Sequence, residues 1–242
     1  MDKKKAYSNY GIEYKNGKIN TPIGWTCELL KTGNTKTGRA VKTWSMNQTT
    51  CPCHCPGCYA DSGCYQFTSV KKALANNTEL ATKYLEFTER AIMAQCETLK
   101  ADTEIRIHAV GDFFSREYLD TWHRIAERFP TLKFWTYTKV LAFESAFDDL
   151  DNANIVKSLV PGFGFNFGHC DYVIEMYNDL ISKGEKVHIC RCGIDDSQHC
   201  AGCACCSKYK YVLFVEHSTA YKAKDDPRYN ELVKLIENQK YK

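Results

Sequence analysis

Short and long hydrophobic periods alternate along the 242-residue chain, which predicts an α/β protein built on a parallel sheet with crossover helices. Cysteine is over-used, at 14 residues, and most of it gathers in two runs. Each run begins where a β-rich segment ends. Parallel sheets gather their functional groups at the C-terminal edge of the strands, so the sulfur chemistry is expected there.

Residues 1–38 are polar, with turn signals at Asn16-Gly17 and Thr32-Gly33-Asn34. They read as an irregular N-terminal extension carrying one strand near Trp25–Leu29. Ala40–Met46 is the first sheet strand. Leu80, Tyr84, Phe87, Ala91, Met93, Cys96 and Leu99 fall near helical spacing and predict a helix over Glu79–Lys100, with Thr78 as its N-cap. Glu104–Val110 alternates Ile105 and Ile107 and reads as a strand. Ser115 caps a helix whose stripe is Tyr118, Leu119, Trp122, Ile125, Ala126 and Phe129, and Pro130 ends it.

Leu132–Thr138 is the third strand, and Phe143–Leu150 reads as a short helix. Ile155–Val160 is a strand stopped by Pro161-Gly162. Asp171–Lys183 is a helix with Gly184 after its end. Lys186–Cys190 and Tyr211–His217 are two further strands, and Asp226-Pro227 opens a last amphipathic helix. About six strands are too few for a closed eight-stranded barrel, which leaves a partial barrel or a doubly wound sheet.

Residues 1–242 read as one domain, with the sheet over 40–217 and the last helix over 226–241. Apolar residues make up 44% and charged residues 25%, which excludes disordered and collagen-like classes. With 32 basic and 29 acidic residues, charge gives no nucleic-acid signal. No run approaches a bilayer span, and the N-terminus carries no apolar stretch of the secretory kind. A reducing, cytoplasmic setting is therefore expected, where clustered cysteines point to metal or redox chemistry.

Five cysteines lie between Cys51 and Cys64, and six between Cys190 and Cys206. Within the first run, Cys51-x3-Cys55-x2-Cys58 can converge three thiolates on one soft metal centre. Three ligands leave one iron of a [4Fe–4S] cluster open, and an open position serves chemistry rather than structure. Cys53, His54 and Cys64 lie close enough in sequence to add ligands, and a structural metal knot is the alternative. In the second run, Cys200-x2-Cys203-x2-Cys206 has ferredoxin-like spacing. Cys190 is the expected fourth ligand, with Cys192 close behind and the role of Cys205 open. A tetrathiolate zinc site uses the same spacings. Cys27 and Cys96 read as core thiols.

The Cys51-x3-Cys55-x2-Cys58 loop after a first strand resembles the radical S-adenosylmethionine superfamily. That resemblance implies a partial parallel (β/α)6-type barrel with cysteine-rich metal-binding loops at the C-terminal edge of its strands. It implies that Cys51, Cys55 and Cys58 hold a [4Fe–4S] cluster whose open iron chelates S-adenosylmethionine, and that reductive cleavage yields a 5′-deoxyadenosyl radical. Gly111-Asp112, after the second strand, resembles the short glycine–acid motif that contacts the cofactor's amino group. Asn166, in the Pro161–Gly168 turn, could hydrogen-bond the cofactor. The resemblance narrows further to the phage-encoded gene product 88-like family through Cys55–Ala60, Gly111–Phe113, Lys133–Thr138 and Cys200–Cys206. That likeness implies a phage or prophage protein acting in a bacterial host.

The function expected is a protein with two [4Fe–4S] clusters performing radical chemistry on an unspecified substrate, with a reductant such as ferredoxin or flavodoxin as partner. The alternatives are an electron-transfer or redox iron–sulfur protein that does not use S-adenosylmethionine, and a zinc-stabilised binding module.

Overall fold

The computed structural model describes residues 2–33, 41–53, 55, 58–191, 194, 203–216 and 221–239. Its first part runs α1 (Lys3–Asn9), β1 (Tyr14–Lys15), β2 (Lys18–Asn20), β3 (Thr26–Cys27), β4 (Lys31–Thr32) and β5 (Val41–Trp44). Next come α2 (Thr68–Lys83), α3 (Leu85–Cys96), β6 (Glu104–Ile107), α4 (Arg116–Arg128), β7 (Lys133–Thr138) and β8 (Ala153–Lys157). The chain closes with β9 (Leu159–Val160), β10 (Gly164–Phe165), β11 (Phe167–Gly168), α5 (Cys170–Ser182), β12 (Val187–Ile189), β13 (Tyr211–Val215) and α6 (Tyr229–Asn238).

The N-terminal segment is more regular than its polar sequence predicts. Asp2 caps α1 by accepting from the Lys5 amide at 3.1 Å, and Tyr7 stacks on Tyr14 at 4.9 Å. Strands β1, β2 and β3 form an antiparallel meander. Asn16 and Gly17, with φ of 52° and 81°, make the two-residue turn between β1 and β2. Two positive φ values match the twist of a tight hairpin, and Asn-Gly supplies them at least cost. The expected strand near Trp25–Leu29 contains β3.

β5, β6, β7 and β8 form one parallel sheet in that order, and β4 adds antiparallel to its edge. β12 and β13 lie in a separate parallel sheet, ordered β11-β13-β12. Antiparallel β9 and β10 make a small two-stranded sheet. The six expected strands therefore form a mixed α/β structure of several sheets, with no closed barrel among the described residues. The two parallel sheets meet beside β8, where the Lys157 amide donates to the Lys210 carbonyl at 2.8 Å.

Two helical expectations need correction. The helix expected over Glu79–Lys100 is two helices, α2 and α3, broken at Tyr84 (φ −135°, ψ 46°). Thr78 is not an N-cap but lies inside α2. Its hydroxyl donates to the Leu74 carbonyl and accepts from the Asn47 amide. The Phe143–Leu150 segment forms no α-helix, only a 3-10 turn over Leu141–Phe143 followed by further turns. Ser115 does cap α4, accepting from the Tyr118 amide at 3.2 Å. No helix among the described residues is long and apolar enough to cross a membrane.

Period-two alternation gives each parallel sheet two chemically different faces. In the first sheet, Ile105, Ile107, Phe134 and Ile155 pack with Ala91, Ile92, Leu119 and Trp122 of α3 and α4. In the second, Val187, Ile189, Tyr211, Leu213 and Val215 pack with residues of α5 and α6. The opposite faces share a third cluster: Val156 and Tyr137 from the first sheet meet Cys190, Val212 and Phe214 from the second, together with Cys206.

His108 lies just past β6 in the helix-side core, 3% exposed. The Trp44 indole donates to the Tyr118 hydroxyl, which lies 2.8 Å from His108 Nε2. His108 Nδ1 is buried without a hydrogen-bond partner. Burial pushes the His108 pKa from 6.5 down to about 3. A depressed histidine contributes stability that is full above pH 6.5 and is lost as pH falls towards 3. Between pH 7 and 5, His108→Gln is expected to remove ~2 kcal/mol of the acid destabilisation seen in the parent protein, at 1.36 kcal/mol per pH unit below the ordinary histidine pKa. Thermal melts of both proteins across that range check this; equal slopes would contradict it.

Candidate metal centres

The first cysteine run leaves the end of β5 through a loop that is anchored on three sides. From α2, Asn77 Nδ2 donates to the Ser45 carbonyl at 2.7 Å, and Thr78 Oγ1 accepts from the Asn47 amide at 2.8 Å. Asn47 in turn caps a 3-10 turn over Gln48–Thr50 that delivers Cys51. From β7, the Lys139 carbonyl faces the Cys53 sulfur at 3.5 Å. From β6, Gly111 and Asp112 hold Thr50.

Gly111 has φ of +94°, and a Cβ there would lie 2.9 Å from Thr50 Oγ1 and 3.1 Å from Met46 Cβ. Only glycine fits both the backbone angle and the space. Asp112 is 3% exposed. Its Oδ1 accepts from the Phe113 amide at 2.7 Å and the Thr138 hydroxyl at 2.8 Å, and its Oδ2 accepts from the Lys139 amide at 3.0 Å. Its own amide donates to Thr50 Oγ1 at 3.3 Å. Burial raises the Asp112 pKa despite these donors. This carboxylate joins the loops that follow β5, β6 and β7.

Cys51, Cys55 and Cys58 are partly exposed free thiols, while Cys53 and Cys64 are exposed. Burial pushes the Cys51 thiol up to about 12, and the Asp112 carboxylate and the Cys58 and Cys55 sulfurs add to the shift. The Cys55 and Cys58 sulfurs thus lie close enough to oppose the ionisation of Cys51. A cation relieves that opposition by replacing the thiol protons. His54 lies outside the described residues.

Cysteines of the second run crowd the face turned away from the helices. His188 on β12 and Cys190 just past its end share that face, since His188 pairs with Val212 and Cys190 packs with it. The late loop returns across it: Asn154 Nδ2 donates to the Cys206 and Tyr209 carbonyls at 2.9 and 2.8 Å. Tyr137 Oη lies 2.9 Å from Cys206 Sγ. Ligand atoms of His188, Cys203 and Cys205 all lie within 4.8 Å of one another. Hydrogen bonds from Cys205 and His188 hold the Cys203 thiol well below its usual range, while Cys205 is pushed up.

Cys203 therefore meets His188 and Cys205 at first hand. Cys190 and Cys206 stand within electrostatic range of Cys205. Of the other expected ligands, Cys200 and Cys192 lie outside the described residues. The sequence reading left Cys205 open and passed over His188. The signal for His188 was its place two residues before Cys190, on the same face of a strand.

Asn166 is 7% exposed, and its Nδ2 donates to the Val212 carbonyl at 2.7 Å, tying the Pro161–Gly168 turn to β13. The His169 ring stacks on Tyr221 at 4.0 Å, and the Cys170 thiol is buried against the Tyr221 hydroxyl at 3.2 Å.

A model of the family described as "Gene product 88" matches residues 15–163. The Gene 88 protein of Mycobacterium phage D29 is 33% identical over 88 residues, 31% of this chain and 37% of that protein. The Gene 88 protein of Mycobacterium phage L5 is 44% identical over 45 residues, 19% of each chain. The chain thus spans well under two thirds of the length of these relatives. No solved structure matches it.

Two substitutions test the anchoring. Gly111→Ala should cost at least ~2 kcal/mol through the positive φ and the displaced Thr50. Asp112→Asn sets an amide N–H against a backbone donor and should cost ~1–3 kcal/mol, a melting shift of about 3–10 °C. Calorimetry reads both; unchanged melting in either variant would show that the loops are held without these contacts.

Proposed function

The chain belongs to the gene product 88 family, and we propose that it is a two-centre iron–sulfur protein of the radical S-adenosylmethionine type. The observation that carries this reading is the placement of Cys51, Cys55 and Cys58 on a tightly anchored loop at the end of β5, as free thiols with Cys55 and Cys58 within electrostatic reach of Cys51. Soft thiolates in that number suit a [4Fe–4S] cluster that keeps one iron open. When bound, such a cluster supplies one electron to the sulfonium of S-adenosylmethionine.

The chain's own residues fit the remaining tasks. Gly111 brings backbone close to the cysteine loop, and Asp112 fixes the loop's position through Thr50. Asp112 spends both carboxylate oxygens on protein donors, so it serves this reading as a positioning residue first. Cys190, Cys203, Cys205, Cys206 and His188 supply a second donor set on the face away from the helices. The two parallel sheets share that face, and we read them as an opened partial barrel. In this reading the protein works in the cytoplasm of a phage-infected bacterium, with a host ferredoxin or flavodoxin as reductant.

A second reading concerns the late centre alone. A mixed His188, Cys203 and Cys205 donor set is also a zinc set, and zinc sites commonly combine histidine with cysteine. There the metal would hold the late loop against the sheet.

Protein purified without oxygen should carry about eight irons if both centres are [4Fe–4S], or about four irons and one zinc under the second reading. Replacing Cys51, Cys55 and Cys58 together by serine should remove about four irons. Replacing Cys203 and Cys205 should remove the remaining metal. Reduced, loaded protein should convert S-adenosylmethionine to 5′-deoxyadenosine. Colourless protein with no iron would overturn the reading, and iron-loaded protein that never cleaves the cofactor would reduce it to electron transfer.

A further inference from the structure

Arg106 lies at the middle of β6, in register with Thr43 of β5 and Trp135 of β7, on the face turned away from the helices. Its guanidinium sits over two rings, 5.2 Å from the Trp135 centroid and 5.9 Å from that of Tyr137. Its Nε is buried without a hydrogen-bond partner, and among the described residues the side chain joins no ion pair. The nearby carboxylate of Glu104 is engaged by the Trp135 indole at 3.1 Å. A half-buried cation without an anion carries a cost that stacking on rings offsets only in part.

The surroundings place Arg106 between the two cysteine runs. Tyr59 and Tyr65 meet edge to face at 5.6 Å, and Arg106 stands within electrostatic range of both. Tyr59 directly follows Cys58, and Tyr65 follows Cys64. On the other side, Tyr137 reaches Cys206. A planar guanidinium pinned by aromatic rings keeps its fork of N–H donors in a fixed plane, the geometry that grips a carboxylate or phosphate with two parallel bonds. Lysine would give charge without the fork.

We propose that Arg106 anchors an anionic small-molecule ligand, carrying a carboxylate or a phosphate, on the sheet face between the two cysteine runs. Trp135 and Tyr137 give that ligand an aromatic bed. The inference deepens the reading above by giving the class of molecule held at the same face, and it does not depend on which metal the cysteines hold.

Isothermal titration of the full-length protein with phenyl phosphate and, separately, with benzoate tests this, with benzyl alcohol as the neutral control. At least one anion should bind and the alcohol should not; which anion binds separates phosphate from carboxylate ligands. Arg106→Gln should weaken binding at least about tenfold, and Arg106→Lys should recover part of it. In the unsubstituted protein, the same anion should slow modification of Arg106 by phenylglyoxal, read by mass spectrometry, which needs no variant to fold. Absence of binding by either anion at millimolar concentration, equal binding by Arg106→Gln, or no protection of Arg106 would overturn the inference. Protein that carries no iron when purified without oxygen, yet binds the anion, would remove the iron–sulfur reading and leave this one. Metal-loaded protein that binds neither anion would do the reverse.

Discussion

A single buried carboxylate holds the ends of three parallel strands in place. Asp112 takes donors from its own loop, from Thr138 and from the Lys139 amide, and its amide holds Thr50. Without it, the loops after β5, β6 and β7 would lose their common point. Burial works against the charge, since it raises the carboxyl pKa. The fold keeps the group because each oxygen has a donor, the condition under which a buried charge is tolerated. Cys51 follows one residue after Thr50, so the same anchor sets where the first sulfurs stand.

The second organising constraint is the alternation of faces along the strands. Residues that point to the helices make two apolar cores, one under α3 and α4 and one under α5 and α6. Residues that point the other way are mixed: Val156, Val212 and Phe214 make a small apolar cluster beside Arg106, Trp135, Tyr137, Asn154, His188 and Cys190. The late cysteine loop covers part of this face and is fastened by Asn154. Helix-side residues thus provide the two main apolar cores, and both cysteine runs lie at the opposite side.

Much of this was legible in the sequence because it rests on local periodicity. β5, β6, β7, β12 and β13, and helices α4, α5 and α6, fall where the apolar spacing puts them. The misses have local causes. Tyr84 keeps the apolar stripe continuous while its backbone breaks the helix, so pattern alone merges α2 and α3. Asp2 and Asn16-Gly17 were cap and turn signals in a segment read as irregular. The separation of β12 and β13 from the first sheet is a tertiary choice that strand order does not encode. At the candidate site, the cysteine spacings marked both runs. The meeting of His188 with Cys203 and Cys205 depends on a loop crossing back over a sheet, which no spacing rule describes.

In the reading proposed above, both cysteine runs hold metal on the side of the sheets away from the helices. Crystals grown without oxygen and measured at the iron and zinc absorption edges would show it. Two anomalous peaks are expected on the side away from α3, α4 and α5, one ringed by Cys51, Cys55 and Cys58 and one against His188, Cys203 and Cys205. Absence of metal at both runs, with their sulfurs instead joined in disulfides, would contradict it.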